Sequence, residues 1–371
     1  MRFPRIPVGS LSLIFCACLC ACLTLGEPGA RGQNSGQAPA SSGQPSGQAS
    51  DQGASIRQNV SLVDVLFTVF NGKNKIVSNL EKENFKVYDD NAQQEIRFFS
   101  RQTDLPLRVG LLLDTSNSIR QRLQFEQQAA TDFLFNVIRR DKDQAFLMDV
   151  DDSPEVIQPF TADVQHLRDV IVRQRAGGGT ALYDAVYQGC QELLLAPVPA
   201  PGRDPDVRRV LVVISDGDDN LSRHSRGEAL DMAQRAGIVI YTISTSIDWI
   251  VTDQEANASK SANRKYQKNE GDRVLDQFSS DSGGRAFFPY HVDDLAQSFH
   301  DIGEELRNQY SLAYVPAGRT SDRKFHSIRV AVDEKGLQVH ARKGYYATAP
   351  ASPKPADPSP VSAVPPNAPH S

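Results

Sequence analysis

The chain has 371 residues, 40% of them apolar and 23% charged, with a formal charge of −5. That length leaves room for two domains and a sizeable core. The mild acidity, with no Lys/Arg cluster beyond pairs such as Arg139-Arg140 and Arg208-Arg209, excludes the basic footprint of a nucleic-acid binder.

The first 32 residues have the three-part order of an export signal. Arg2 and Arg5 give a basic start, Val8–Leu25 is apolar, and Gly26–Gly32 is small and polar. Three readings stay open: a cleaved signal peptide, a lipoprotein signal, or an uncleaved anchor. The loose lipobox Leu19-Cys20-Ala21-Cys22 offers Cys22 as the acylated residue. The apolar run, about 18 residues, is marginal against the ~20 needed to span a bilayer. Each reading places the body outside the cytoplasm, as a periplasmic, outer-membrane lipoprotein or secreted protein. Membrane contact then comes only through the signal or a lipid anchor.

Residues 33–56 are rich in Ser, Gly, Gln, Ala and Pro, and read as a flexible linker. Residues 57–101 read as a β segment. Val60, Leu62, Val65, Phe67, Val69 and Phe70 form a β-prone run, and Asn71-Gly72 and Asp89-Asp90-Asn91 are turn signals. Phe85–Tyr88 is expected to pair with Ile96–Phe99 across the second turn.

From 102 to 308, strands alternate with helices, the mark of a parallel sheet. Strands are expected at Val109–Leu113, Gln144–Val150, Glu155–Phe160, Val210–Ser215, Val239–Ser244 and Gly284–Phe288. Helices are expected at Leu123–Arg139, Val164–Arg173, Leu182–Leu195, Gly227–Ala236, Asp272–Asp281 and Val292–Gln309. The Pro-rich loop Ala196–Val207 and the polar loop 245–271, which carries Trp249, interrupt the rhythm. Residues 309–347 return to β, with strands at Tyr310–Val315, Phe325–Val332 and Leu337–Ala341. Either flank alone has a thin core. Together they can close one small β-sandwich with the α/β domain inserted, since chain termini commonly lie close together; the alternative is two separate β caps flanking that domain. Residues 348–371 form a Pro-rich tail expected to be disordered. Cys190 is the only cysteine of the body and reads as a small buried hydrophobe.

Five oxygen-bearing side chains stand where such a sheet would gather ligands. Asp114, Ser116 and Ser118 follow the apolar run ending at Leu113. Thr180 follows Gly177-Gly178-Gly179. Asp216 ends the run from Val210. Continuous apolar runs of this length read as buried parallel strands. Open α/β sheets bind ligands beyond the carboxyl ends of their strands. Hard oxygen donors with few charges suit Mg²⁺, with Mn²⁺ or Ca²⁺ as substitutes. Taken singly, each motif is also a good turn or helix cap. Asp218 and Asp219 read as a solvated turn, and Asp149, Asp151 and Asp152 as a solvent-facing acid cluster. Asp184 reads as an acid stabilising the start of its helix. No His-Glu-x-x-His, Gly-x-Ser-x-Gly or Walker motif occurs, and no acid and base are paired for turnover.

The order Asp-x-Ser-x-Ser, then Thr, then Asp resembles the metal-ion-dependent adhesion site of von Willebrand factor type A domains, with all five positions filled. The resemblance covers about residues 102–308. The flanks resemble the secreted acidobacterial VWFA-related family, through Phe85-Lys-Val-Tyr-Asp89, Glu95–Ser100, Gln309–Pro316 and Arg342–Ala347. It implies a Rossmann-like doubly wound sheet and a non-enzymatic binding module. In that site Ser116 and Ser118 bind the metal directly. Asp114 and Asp216 supply charge directly or through water, and Thr180 is the mobile ligand. The implied partner is a protein offering an Asp or Glu carboxylate. A scaffold or assembly factor in an envelope protein complex is the alternative.

Overall fold

A computed structural model describes residues 62–102, 105–196, 207–246, 268–289, 292–317 and 322–347. The signal, linker and tail readings lie outside the described residues. So do most of the Pro-rich loop and of the loop carrying Trp249.

The N-terminal flank supplies β1 (Val63–Asn71), β2 (Phe85–Asp89), β3 (Ala92–Gln94) and β4 (Ile96–Gln102). The α/β portion follows with β5 (Leu107–Asp114), α1 (Leu123–Val137), β6 (Gln144–Val150) and β7 (Glu155–Thr161). It continues through α2 (Val164–Ile171), α3 (Leu182–Leu194), β8 (Arg208–Ser215), α4 (Arg226–Ala236) and β9 (Val239–Ser244). Then come α5 (Glu270–Ser282), β10 (Ala286–Phe287) and α6 (Val292–Arg307). The C-terminal flank adds β11 (Gln309–Tyr314), β12 (Phe325–Val332), β13 (Leu337–Ala341) and β14 (Gly344–Tyr346).

Strands of the two flanks interleave in two antiparallel sheets. One has the order β13-β1-β11-β4 and the other β14-β12-β2-β3. Among the described residues, neither flank has a sheet of its own. The two sheets enclose an aromatic cluster in which Phe67 meets Phe85 at 5.0 Å and Tyr310 at 5.4 Å. The Tyr310 hydroxyl donates to the Val77 carbonyl and accepts from the Leu80 amide, both at 3.0 Å, so burying it leaves nothing unpaired.

One expectation is corrected here. Phe85–Tyr88 does not pair with Ile96–Phe99. The turn residues Asp90 and Asn91 take left-handed backbone and fix Asp89 opposite Ala92, so β2 pairs with the short β3. After Glu95 the chain crosses to the other layer, where β4 pairs with β11. Phe85 and Phe99 then meet across the core at 5.5 Å.

The six-stranded sheet has the order β10-β9-β8-β5-β6-β7, parallel except for β7. All eight residues of β5 are buried, as are seven of the eight in β8, because helices cover both faces. Helices α1, α2 and α6 pack on one face, and α3, α4 and α5 on the other. Each fully buried Leu or Val there is worth about 1.5–3 kcal/mol. Cys190 is one of these buried side chains, and burial pushes its thiol pKa up, as an inert packing residue requires. Local chemistry sets the helix ends. Ser225 and Glu228 form a reciprocal capping box at the start of α4, and Gly237 closes it in left-handed backbone.

Chain order places the site. From β5 the chain goes to β6 on one side and later returns to β8 on the other. The switch point is therefore the crevice between β5 and β8. The junctions with the sandwich lie at the opposite edge. There Gln309, the start of β11, stands opposite Gln102, the end of β4.

Candidate metal centre at the sheet edge

Asp114 is the last residue of β5 and fully buried. One carboxylate oxygen accepts the Ser116 amide at 2.8 Å, and the other accepts the Ser215 hydroxyl at 2.6 Å. Ser116 and Ser118 flank the turn that follows, with their hydroxyl oxygens 2.9 Å apart. Ser116 is buried and Ser118 exposed, so the pair spans the boundary between core and solvent.

The Gly-rich loop is tied to this turn by backbone hydrogen bonds. Gly177 donates to the Thr115 carbonyl at 2.8 Å, and Asn117 donates to the Gly178 carbonyl at 3.2 Å. Gly178 alone of the three glycines has positive φ, at 76°, where a side chain would be strained. Thr180 is buried beyond it. Asn220 clamps its backbone: the side-chain oxygen accepts the Thr180 amide at 2.9 Å, and the Asn220 amide donates to the Thr180 carbonyl at 3.0 Å. Any movement of Thr180 must therefore carry the 220 loop with it.

Asp216 follows β8 and is half-buried. Its neighbour Gly217 has φ of 85° and lies against the backbone of Gly271, in the first turn of α5. A side chain at Gly217 would collide with that helix. The close approach of α5 to the strand end thus fixes where Asp216 stands.

All five expected residues therefore end β5 or β8 or lie on loops hydrogen-bonded to those ends. Burial pushes the Asp114 carboxyl up to about 6, against the hydrogen bonds from Ser116 and Ser215, and the Asp216 charge adds to the rise. The donor set fits a hard cation: two carboxylates, three hydroxyls and an excess of negative charge at a partly open edge. Asp114, Ser116, Ser118, Thr180 and Asp216 are the residues that would hold it.

Three further residues shape the site. Ser215 orients Asp114, Asn220 holds Thr180, and the Asp152 carboxylate accepts the Gly179 amide. Asp152 is thus a fastener of the Gly-rich loop as well as a solvent-facing acid. Glu126 of α1 is fully buried as well. Asp184 lies in the first turn of α3, where a carboxylate favours the helix start. It also accepts the amides of Arg223 at 3.1 Å and His224 at 2.8 Å, and pairs with the His224 ring at 2.6 Å. Asp219 accepts the Tyr183 amide at 3.3 Å. The cleft of about 670 Å³ near Arg208, Arg235 and Arg342 lies between the sandwich and the α/β portion, and is not part of this site.

Asp89, Asp90 and His326, in the sandwich, also bring ligand atoms within 4.8 Å of one another. Both ring nitrogens of His326 are already paired, with Asp90 at 2.8 Å and Asp322 at 3.1 Å. The cluster is an ion-pair clamp.

The family model for the von Willebrand factor type A domain matches residues 109–218, a segment holding all five site residues. The chain carries a von Willebrand factor type A domain. No curated protein matches the chain. Solved structures similar to it include the vWF domain of the type V pili tip protein Mfa5 from Porphyromonas gingivalis. That likeness has 13% identity over 59% of this chain and 99% of that one, with a TM-score of 0.41. A von Willebrand factor type A protein from Catenulispora acidiphila shares 10% identity over 79% of this chain and 75% of its own, with a TM-score of 0.41. Proximal thread matrix protein 1 from the mussel byssus, with a zinc-occupied MIDAS motif, shares 15% identity over 58% of this chain and 50% of its own, with a TM-score of 0.41. Among the described residues, no helix is long and apolar enough to cross a membrane.

Proposed function

We propose that this chain is an exported, non-enzymatic binding module. Its type A domain would use a Mg²⁺-centred site, which Mn²⁺ or Ca²⁺ can also fill, to hold an acidic group of a partner protein. One observation carries the reading. The ends of adjacent strands β5 and β8 bring the buried Asp114 under the charge of Asp216, beside the paired hydroxyls of Ser116 and Ser118. When bound, the cation supplies a positive centre that two carboxylates and three neutral hydroxyls leave electron-poor. A carboxylate from outside completes such a shell better than another neutral group does. The exposed side of the site, at Ser118, faces solvent, and the sandwich lies at the other edge of the sheet. A partner can therefore reach the site without meeting the sandwich.

Water-proton relaxation of the Mn²⁺-loaded protein tests the open position. Acetate should lower the relaxation enhancement in a saturable way by displacing metal-bound water, while chloride at equal ionic strength should not. An enhancement untouched by acetate would mean a closed shell and a structural cation.

A further inference from the structure

Helix α1 carries an acid where its own periodicity reserves an apolar residue. Its buried face runs through Leu123, Ala130, Phe133, Leu134 and Val137, while Gln124, Gln128 and Asp132 are exposed. Glu126 lies on the buried face, with no exposed surface. Its neighbour Gln127 is also buried, but it is satisfied: its amide donates to the carbonyls of Ile171 at 2.8 Å and Gln174 at 3.1 Å. Both carboxylate oxygens of Glu126 lack a hydrogen-bond partner. The Thr245 hydroxyl is fully buried and without a partner in hydrogen-bond geometry, although it lies close enough to favour the charged carboxylate. Thr245 itself is pinned to the site strand, its amide donating to the Ser215 carbonyl at 3.0 Å. Thr245 thus sits at the β8 end, and Glu126, in the first turn of the helix that follows the Ser116–Ser118 turn, lies near enough to interact with it. Burial first, then the charges of Asp114 and Asp216, push the Glu126 carboxyl well above its ordinary 4.5, against the opposing charge of Arg122.

An acid buried without donors is costly to a fold unless something compensates it. Here the unpartnered acid feels the charges of two further carboxylates, Asp114 and Asp216. We infer that Glu126 is a sixth member of the cation site, a buried carboxylate that supplies charge and hydrogen-bond acceptors behind the metal. This inference rests on reading the edge as a cation site. It makes Glu126 a positioning and charge-balancing residue, as groups behind the direct ligands commonly are.

Glu126→Gln keeps the shape and removes the charge. Mg²⁺ affinity, read by calorimetry, should fall at least about tenfold, the usual effect of losing such a supporting group. In EDTA the same variant should melt no lower than wild type, because the uncompensated acid is gone. Glu126→Leu, which fills the space with no polar atoms, should likewise hold its apo stability and lose the Mg²⁺-induced rise in melting temperature. Wild-type affinity retained in Glu126→Gln would overturn the inference while leaving the cation site standing. A Gln variant less stable than wild type in EDTA would also overturn it, since Glu126 would then serve the fold. If wild type itself bound no Mg²⁺, the reading of the edge as a cation site would fall first.

Discussion

Asp89 of the sandwich and Asp114 of the type A domain are both buried acids at strand ends, yet their surroundings differ in kind. One Asp89 oxygen accepts two tyrosine hydroxyls, from Tyr314 at 2.9 Å and Tyr345 at 3.0 Å, and the His326 ring stands 3.9 Å from the other. The two tyrosines come from the C-terminal flank and Asp89 from the N-terminal one, so the acid fastens the two flanks together. Asp114 accepts one amide and one hydroxyl, but the charge of Asp216 acts on it, and its own charge acts on the unpartnered Glu126. A buried network with every member paired rigidifies a fold, and one short of positive charge stores a demand for a ligand. The sandwich has the first arrangement, and the proposed function reads the sheet edge as the second.

The sharpest way to break this comparison is to remove each acid in turn. Asp89→Ala leaves two buried hydroxyls without their acceptor and should cost roughly 2–4 kcal/mol, on the scale of unsatisfied buried groups. Asp114→Ala in EDTA relieves a buried charge, so its cost should be well below that of Asp89→Ala. Chemical denaturation of both variants checks the ranking. Equal losses would mean that the two acids serve the fold alike.

A smaller effect sharpens the sandwich side. Burial opposes protonation of His326, but Asp322 and Asp90 outweigh it through hydrogen bonds and charge, so its pKa lies above the ordinary 6.5. The Ser327 amide, with help from His326, holds Asp90 below its ordinary 3.8, and the Lys324 amide and His326 do the same for Asp322. The carboxylates therefore contribute stability above about 3.8 and lose it as pH falls through their depressed values. The imidazole contributes fully below about 6.5 and loses its contribution as pH rises through its elevated value. Stability from the clamp is fullest between these limits. Melting of wild type should decline slightly from about pH 6 to about pH 9, and His326→Gln should lack that slope. The same slope in both proteins would detach the clamp from the pH response.

Much of the site can be read from the sequence, for a physical reason. Asp114 and Asp216 each close an apolar run of the length of a buried strand, so burial pattern and candidate ligand position coincide. The fasteners cannot be read the same way. Asn220 and Asp152 act on the Gly-rich loop across separations in the chain that no local pattern records. Glu126 does leave a signal: a charge at core spacing between Leu123 and Ala130 contradicts the helix pattern around it. In the flanks, strand propensity marks Ile96–Phe99 as extended. Only the tight turn at Asp90-Asn91 decides that it joins the far sheet. β14 has just three residues, too few for alternation to show.

The central claim is that the β5 and β8 ends form a cation site. Calorimetric titration of the purified protein with Mg²⁺ tests it most directly, beside Asp114→Ala folded to the same circular dichroism spectrum. The account predicts one saturable site in wild type and none in the variant. A wild type that takes up no Mg²⁺, or an Asp114→Ala protein that binds it equally well, would contradict the claim.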